Sequence, residues 1–524
     1  MEQQVMEKFI LDLPNYHPLQ PKQLENATRL IGISKHFLKK AKINQKDIPI
    51  ESERTIILES GHQPNFLPHA GTWKKAFLLA DIQKKLMMNG NTSIAFFGFP
   101  DRNISTARLL SRNQVPALNK KGVEAIGFRI NDTDRLKPFC NVKKPSSDLW
   151  QIEMNNIEKF YLELSNKFPD KNIISKIQLN QILEIMWKSY DLADNFAELN
   201  AYIFAKICHE ILNINLSFFL YSDLQKERLF LDESKKIFQN IRAFNQIYNR
   251  VIVEKGLDIS PVVESHVPFW YHCECGGKIN MFLDDSVSCT GICLGCKKEH
   301  HLFFDTGFNN LQKYYDKMDF NAVSRNIVMA EGLGDTLFLS GVGGSLQYGA
   351  IADQISQELK FHYPISLAWQ SKDYYLSMTN ALAIQELAKI FSLPQRGLFD
   401  PELNENISRY IDMISQQLRD TQNAKKDYRA INLIVGMRNH AKNWPIITKN
   451  VFSNTPSFLD ILVNQNFTLI TNQWTRALND AEISNCDWLY KFKTDITYNN
   501  DLIDDIKPEE IPQLYQIIQG LEVK

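Results

Sequence analysis

At 524 residues the chain exceeds what one domain usually needs and leaves room for a large core with a cleft. A formal net charge of −1 gives no electrostatic footprint for a polyanion, so nucleic acid is not an expected partner. The opening MEQQVMEKFILDLPNYHP lacks a signal-peptide pattern, and no apolar run approaches the ~20 residues of a bilayer span, so the reading is a cytoplasmic protein without a membrane partner.

In chain order, residues 1–50 read as an N-terminal helical cap, where ATRLIGISKHFLKKAKI spaces apolar residues helically and ends basic. From Thr55, TIILES is a strand, GHQPNFLPHAG a turn-rich loop, and WKKAFLLADIQKKLMM an amphipathic helix stopped at Asn89-Gly90. TSIAFFGF is a second strand, so 51–145 holds one βαβ unit. Residues 146–257 read as a helical insertion, with long segments such as LNAYIFAKICHEILNI and DESKKIFQNIRAFNQIYNRVIVEKG. Residues 258–305 form a compact cysteine-bearing piece too short for a core of its own. Within 306–400, DTLFLSGVGGSLQYGAIADQISQELKF repeats strand, glycine-rich turn and helix, and PISLAW offers another strand. Residues 401–524 read as helical, with RYIDMISQQLRDTQNAKKDYRAINLIV as one long helix. The expected fold is α/β: a split Rossmann-like parallel-sheet core with a helical insertion, a small zinc-ribbon-like β module and a helical C-terminal region.

Five of the eight cysteines fall within the 24 residues 273–296, and without secretory signals such clustering favours a metal over disulfides. A C-x-C pair, 17 intervening residues and a C-x2-C pair suggest a tetrahedral zinc site of Cys273, Cys275, Cys293 and Cys296, with glycines easing the turns. Cys289 is an alternative ligand, because C-x-C is tighter than the usual knuckle; His272, His300 and His301 are lesser candidates. Four thiolates leave no open position, so the zinc would be structural. The competing readings are a site that exchanges a ligand for a substrate thiol, and no metal at all.

The other candidates stand at strand ends. His62 and His69 flank the approach to the first helix, where imidazoles can donate to phosphate oxygens, and Asn65 adds an amide; the plainer reading is a proline-rich turn with two inert histidines. The loop from Gly341 to Gly349 can present backbone N–H groups to a phosphate or carboxylate, or be an ordinary tight turn; it matches neither a dinucleotide fingerprint nor a Walker A loop. Asp101 and Arg102 end the second strand and would face the same cleft as His62, unless Pro100-Asp101 is only a type I turn. Arg325 and the Gln370-Ser371-Lys372 turn are similar cases.

Taken together, MDFNAVSRNIVMAEGLGDTLFLSGVGGSLQYGAIADQI and YPISLAWQSKDYYL resemble the bacillithiol-biosynthesis cysteine-adding enzyme family (BshC). The likeness covers roughly residues 55–110 and 318–392. It implies site roles for Gly61 and Gln63 in the first loop, Lys74 or Lys75 on the helix, Asp101 at the strand end, Arg325, Gly343 and Gly344 in the glycine loop, and Tyr348. Gly341, Ser345 and Ser371 join the binding set, although Ser345 and Trp369-Gln370 depart from the family pattern. The family core is similar to nucleotidyltransferases and class I aminoacyl-tRNA synthetases. The resemblance implies a ligase that joins an amino acid, with cysteine the first candidate, to the amine of a small sugar-linked acceptor. His62, His69, Asp101 and Arg325 would be catalytic, ATP or another nucleotide is a candidate activator, and a homodimer is a candidate assembly. HQPNFLP is also similar to the opening of WbqC-like proteins, which suggests a nucleotidyl- or acyltransferase on an activated sugar. A scaffold that binds a partner through its zinc ribbon is the non-catalytic alternative.

Overall fold

A computed structural model of the chain describes residues 9–13, 17–44, 53–117, 123–341, 344–391, 456–486 and 488–498, together with positions 394, 395, 416, 420 and 510. The chain opens with helix α1 (Pro21–Lys40), strand β1 (Ile56–Gly61), helix α2 (Ala70–Met88) and strand β2 (Ser93–Phe99). A hairpin of β3 (Arg112–Pro116) and β4 (Val123–Gly127) precedes helices α3 (Ser147–Ser165), α4 (Pro169–Leu192) and α5 (Phe196–Lys206), and strand β5 (Ser217–Leu220). Helices α6 (Tyr221–Lys226), α7 (Leu231–Phe238) and α8 (Ile241–Lys255) lead to β6 (His266–His272), β7 (Lys278–Leu283), β8 (Ser288–Cys293), β9 (Glu299–Phe303) and β10 (Met318–Phe320). Then come α9 (Ala322–Leu333), β11 (Leu337–Ser340), α10 (Gly344–Leu359), β12 (Ile365–Tyr374) and α11 (Met378–Phe391). After residue 456 follow α12 (Phe458–Asn464), α13 (Phe467–Asn479), β13 (Glu482–Cys486) and β14 (Leu489–Thr497).

Seven strands form the central sheet in the order β13-β14-β12-β11-β1-β2-β5, all pairs parallel except β13 with β14. The protein is therefore α/β with a mostly parallel sheet. Such strands are covered on both faces and run apolar throughout, as SIAFFGF does with every residue buried. Alternation along β1 sends Leu58 into one core, with α2, α5, α11 and α13. Ile57 points into the other, with α1, α8, α9 and α10. The β1–α2–β2 crossover thus lies on one face and the β11–α10–β12 crossover on the other. Between the neighbours β1 and β11 the chain departs in opposite directions, which opens a crevice at their carboxyl ends.

Several elements differ from expectation. Strand β5, inside the stretch read as a helical insertion, pairs with β2 and extends the sheet. Its tetrad SFFL is wholly buried and too short to be told from a helix by periodicity. The long helix expected from Asp232 breaks at Gln239-Asn240 into α7 and α8. In the region read as helical, β13 and β14 are strands of the central sheet; the long helix expected from Arg409 lies outside the described residues, apart from isolated positions.

The cysteine-bearing piece is an antiparallel sheet ordered β10-β6-β7-β8-β9, so it borrows β10 from beyond residue 305. It docks against the end of β2. Arg102 donates to the carbonyls of Asp316 (3.1 Å) and Met318 (2.7 Å), and Lys278 pairs with Asp319 at 2.7 Å, both side chains buried, beneath the Trp270 ring. Among the described residues no helix is long and apolar enough to cross a membrane.

Candidate functional site

The loop leaving β1 is held by backbone and side-chain bonds, not by packing alone. His62 N–H donates to the Gly98 carbonyl (3.1 Å), Phe66 N–H to Leu109 (3.0 Å), Asn200 Nδ2 to the Pro64 carbonyl (2.7 Å), and Trp73 Nε1 to that of Pro68 (2.9 Å). Gly61 is required by a close approach: a Cβ there would sit 2.6 Å from the Gly98 carbonyl oxygen. This fixes His62 and His69 on either side of the entry to α2, where the helix terminus carries partial positive charge. His62 Nδ1 lies 2.9 Å from the Gln63 carbonyl. Burial and then the Lys75 charge hold the half-buried His62 imidazole down at about 3, and burial also lowers His69. Both rings are neutral at pH 7. Asn65 Oδ1 and His69 Nδ1 are buried without a hydrogen-bond partner among the described residues, so this loop offers polar atoms for a ligand to satisfy.

Two cations stand near this end of β1, on helices that cover opposite faces of the sheet. Lys75, buried on the second turn of α2, donates to the Gly61 carbonyl. Arg325, on α9, lies with its guanidinium 5.4 Å from the centre of the Tyr221 ring. Burial, then the Arg325 charge, pulls Lys75 down to about 7. Below them Glu59, buried on β1, accepts a 3.0 Å hydrogen bond from Tyr221 Oη. Burial lifts Glu59 to about 7 against the pull of the Tyr221 bond and Arg325. Burial, then repulsion from Glu59, raises its neighbour Asp335 well above the carboxylate range.

Not every expected residue joins this cluster. Lys74 turns away from the loop into a buried pair with Asp373 (2.6 and 2.5 Å to the two carboxylate oxygens) and also donates to Ser371. Lys74 and Ser371 are thus brought together, but in an ion pair between α2 and β12. Asp101 is turned to the start of α6. It accepts from Ser222 N–H at the start of α6 (2.9 Å), its neighbours are Arg102, Asp223 and Cys140, and burial raises it to about 6. The Pro-Asp end of β2 is a helix cap, and Arg102 is a tether to the antiparallel sheet. Gly341 follows β11 into the crevice, while Val342 and Gly343 lie outside the described residues. Gly344 and Ser345 begin α10, with side-chain surroundings likewise outside them. Tyr348 packs into the second core opposite Tyr248 of α8, away from the histidine loop. Gln63 contributes its carbonyl to His62.

Sequence reasoning missed Glu59, Asp335, Tyr221 and Asp373. Glu59 carried a signal: a carboxylate inside the otherwise apolar strand IILES has to be paired or neutral if the strand is buried on both faces.

The four thiols expected to bind metal do meet. Cys273, Cys275, Cys293 and Cys296 have Sγ atoms within 4.8 Å of one another, including 3.6 Å for Cys273–Cys296 and 3.5 Å for Cys275–Cys293. Ligand sulfurs at about 2.3 Å from a tetrahedral zinc are about 3.8 Å apart, so the cage could hold a metal ion. Gly277 lets the strands close in: a Cβ there would be 2.6 Å from Cys293 Sγ. Cys289 is not part of the cage. It sits mid-strand opposite Leu283 and Leu302 with its side chain in the apolar interior. The reason is distance along the strand: Cys289 lies four residues down β8 from Cys293, on the same face but about 13 Å from the knuckle. His301 pairs with Glu299 (3.6 Å), His272 is half-buried beside Asp319, and His300 Nε2 lies 3.2 Å from Cys273 Sγ.

No family model and no curated protein matches this sequence. Among solved structures, the arginyl-tRNA synthetase of Thermus thermophilus aligns over 94% of this chain and 84% of that chain, at 9% identity and a TM-score of 0.23. A TM-score of that size bears on neither fold nor function.

Proposed function

We propose that the chain is a Rossmann-like ligase that forms a carbon–nitrogen bond, joining the carboxyl of an amino acid to the amine of a small acceptor in the crevice between β1 and β11. The observation that carries this reading is Lys75, buried against the Gly61 carbonyl at the end of β1, with the charge of Arg325 acting on it from across the sheet. Two neighbouring cations, one of them buried, are costly together unless an anion completes the site. The parallel strands β5-β2-β1-β11-β12, counted by chain order, run 3-2-1-4-5. Sheets wound in that order bind phosphate-bearing ligands at the switch point.

In this reading a nucleoside triphosphate activates the carboxyl, and Lys75 and Arg325 hold the phosphate that leaves. His69, neutral, can donate one hydrogen bond without adding charge, while neutral His62 gives its one N–H, on Nδ1, to the Gln63 carbonyl and offers Nε2 as an acceptor, suited to the amine. The acceptor nitrogen attacks the acyl carbon, the C–N bond forms as the C–O bond to phosphate breaks, and the amine loses a proton. Glu59, two residues before the loop and with a pKa near 7, is matched to exchange a proton at neutral pH. Cysteine is the first amino acid to try, from the family resemblance. The thiol cage would hold zinc as a structural ion, stabilising the antiparallel sheet without entering the reaction.

The test is pyrophosphate or phosphate release from ATP with a panel of amino acids and amine acceptors. Turnover that requires one amino acid and falls at least tenfold in Arg325→Ala supports the ligase. Release without any amino-acid dependence, or none under every combination, rejects it.

A further inference from the structure

Beside the four-thiol cage lies a second set of ligand atoms. Cys273 Sγ, a Glu274 carboxylate oxygen and a His300 ring nitrogen all fall within 4.8 Å of one another. His300 Nε2 is 3.2 Å and Glu274 Oε2 3.9 Å from Cys273 Sγ. Tetrahedral zinc with ordinary Zn–S, Zn–N and Zn–O lengths separates a sulfur from a nitrogen or oxygen ligand by about 3.5 Å, so both distances need only small side-chain shifts.

We propose that this protein binds a second divalent metal ion at Cys273, Glu274 and His300, with the Cys273 thiolate bridging it to the metal of the four-cysteine cage. Three arguments support a distinct site. A four-thiolate zinc centre is left doubly negative, and an adjacent dication relieves that charge. The donors are the thiolate, imidazole and carboxylate that zinc takes in open sites, and three protein ligands leave the fourth position for water or a small anion. The set is also reachable from solvent: Glu274 is exposed and His300 half-buried at the edge strand β9. Glu274 now pairs with Lys317 (3.1 Å) and Lys298 (3.6 Å), but these are exposed ion pairs of the weak kind and can yield to a metal. His301, the next residue, turns to Glu299 and serves as a control.

The experiment is native mass spectrometry of the full chain equilibrated with Zn²⁺ alone, with total metal measured in parallel. The wild type should hold two zinc ions. His300→Ala and Glu274→Gln should each hold one, with unchanged circular dichroism, while His301→Ala should still hold two. Cobalt substitution gives an independent readout: the second equivalent should add visible absorption that Glu274→Gln removes, leaving the tetrathiolate spectrum of the first. A wild type that binds a single zinc, or a His300→Ala variant that keeps two, overturns the proposal and leaves His300 as a hydrogen-bond donor to Cys273. Loss of all metal in the wild type would overturn the four-thiol reading as well.

Discussion

The two sheets are stabilised in opposite ways. The parallel sheet has both faces buried under helices, so its stability comes from apolar area, and it tolerates buried ionisable groups such as Glu59 within β1 and Lys75 on the covering helix α2. The antiparallel sheet has its knuckles open to solvent, with Cys275 and Cys296 exposed, and its four cysteines gather where two hairpins meet. One region is stable enough to carry electrostatically unfavourable groups, and those groups form the candidate site. The other gathers four thiols at its tip, where they could hold a metal ion.

The largest expected effect separates the two regions directly. Chelation of the cage metal, or Cys293→Ser with Cys296→Ser, should remove about 10 kcal/mol of metal-linked folding energy from the antiparallel sheet. Amide hydrogen exchange should show β6 to β9 losing protection while β1, β2 and β11 keep theirs. Equal loss in both sheets would mean that they fold as one unit through the Arg102 tether.

Next in size, Lys74→Ala leaves Asp373 buried without its cation and should cost about 3–5 kcal/mol in a denaturant titration. Lys74→Met with Asp373→Leu should recover most of that. Failure to recover would assign the pair a role in the site and not only in the packing of α2 on β12.

Lys75 should behave in the opposite sense. Its folded pKa of about 7 lies below its ordinary value, so the buried charge penalises the folded state at pH below 7, and the penalty fades as pH rises toward 10. Lys75→Met should therefore stabilise the protein, by about 2–4 kcal/mol at pH 6 and by much less at pH 10. A variant that destabilises equally at both values would show that Lys75 is a packing residue.

How much of this was legible beforehand follows from where the information lies along the chain. The cage was readable because its four ligands sit within 24 residues and strand geometry brings C-x-C and C-x2-C ends together. Strand β1, α2 and β2 were readable from periodicity, and so was the corner holding His62 and His69. The crevice was only half readable: His62 lies more than 260 residues from Arg325, and nothing local says that Lys75 and not Lys74 faces it. Adjacent residues on a helix point about 100° apart, so the tertiary contacts decide, and Asp373 takes Lys74. Asp101 misled for the same reason, because a Pro-Asp strand end reads alike whether it faces a ligand or caps α6.

The central claim is that Lys75 and Arg325 wait for an anionic phosphate, and isothermal titration of ATP into the full chain tests it most directly. The account predicts binding in the wild type that weakens as pH rises through about 7, where Lys75 loses its proton, and at least a tenfold loss in both Lys75→Met and Arg325→Ala. Affinity unchanged in both variants, or unchanged between pH 6 and pH 8.5, would contradict it.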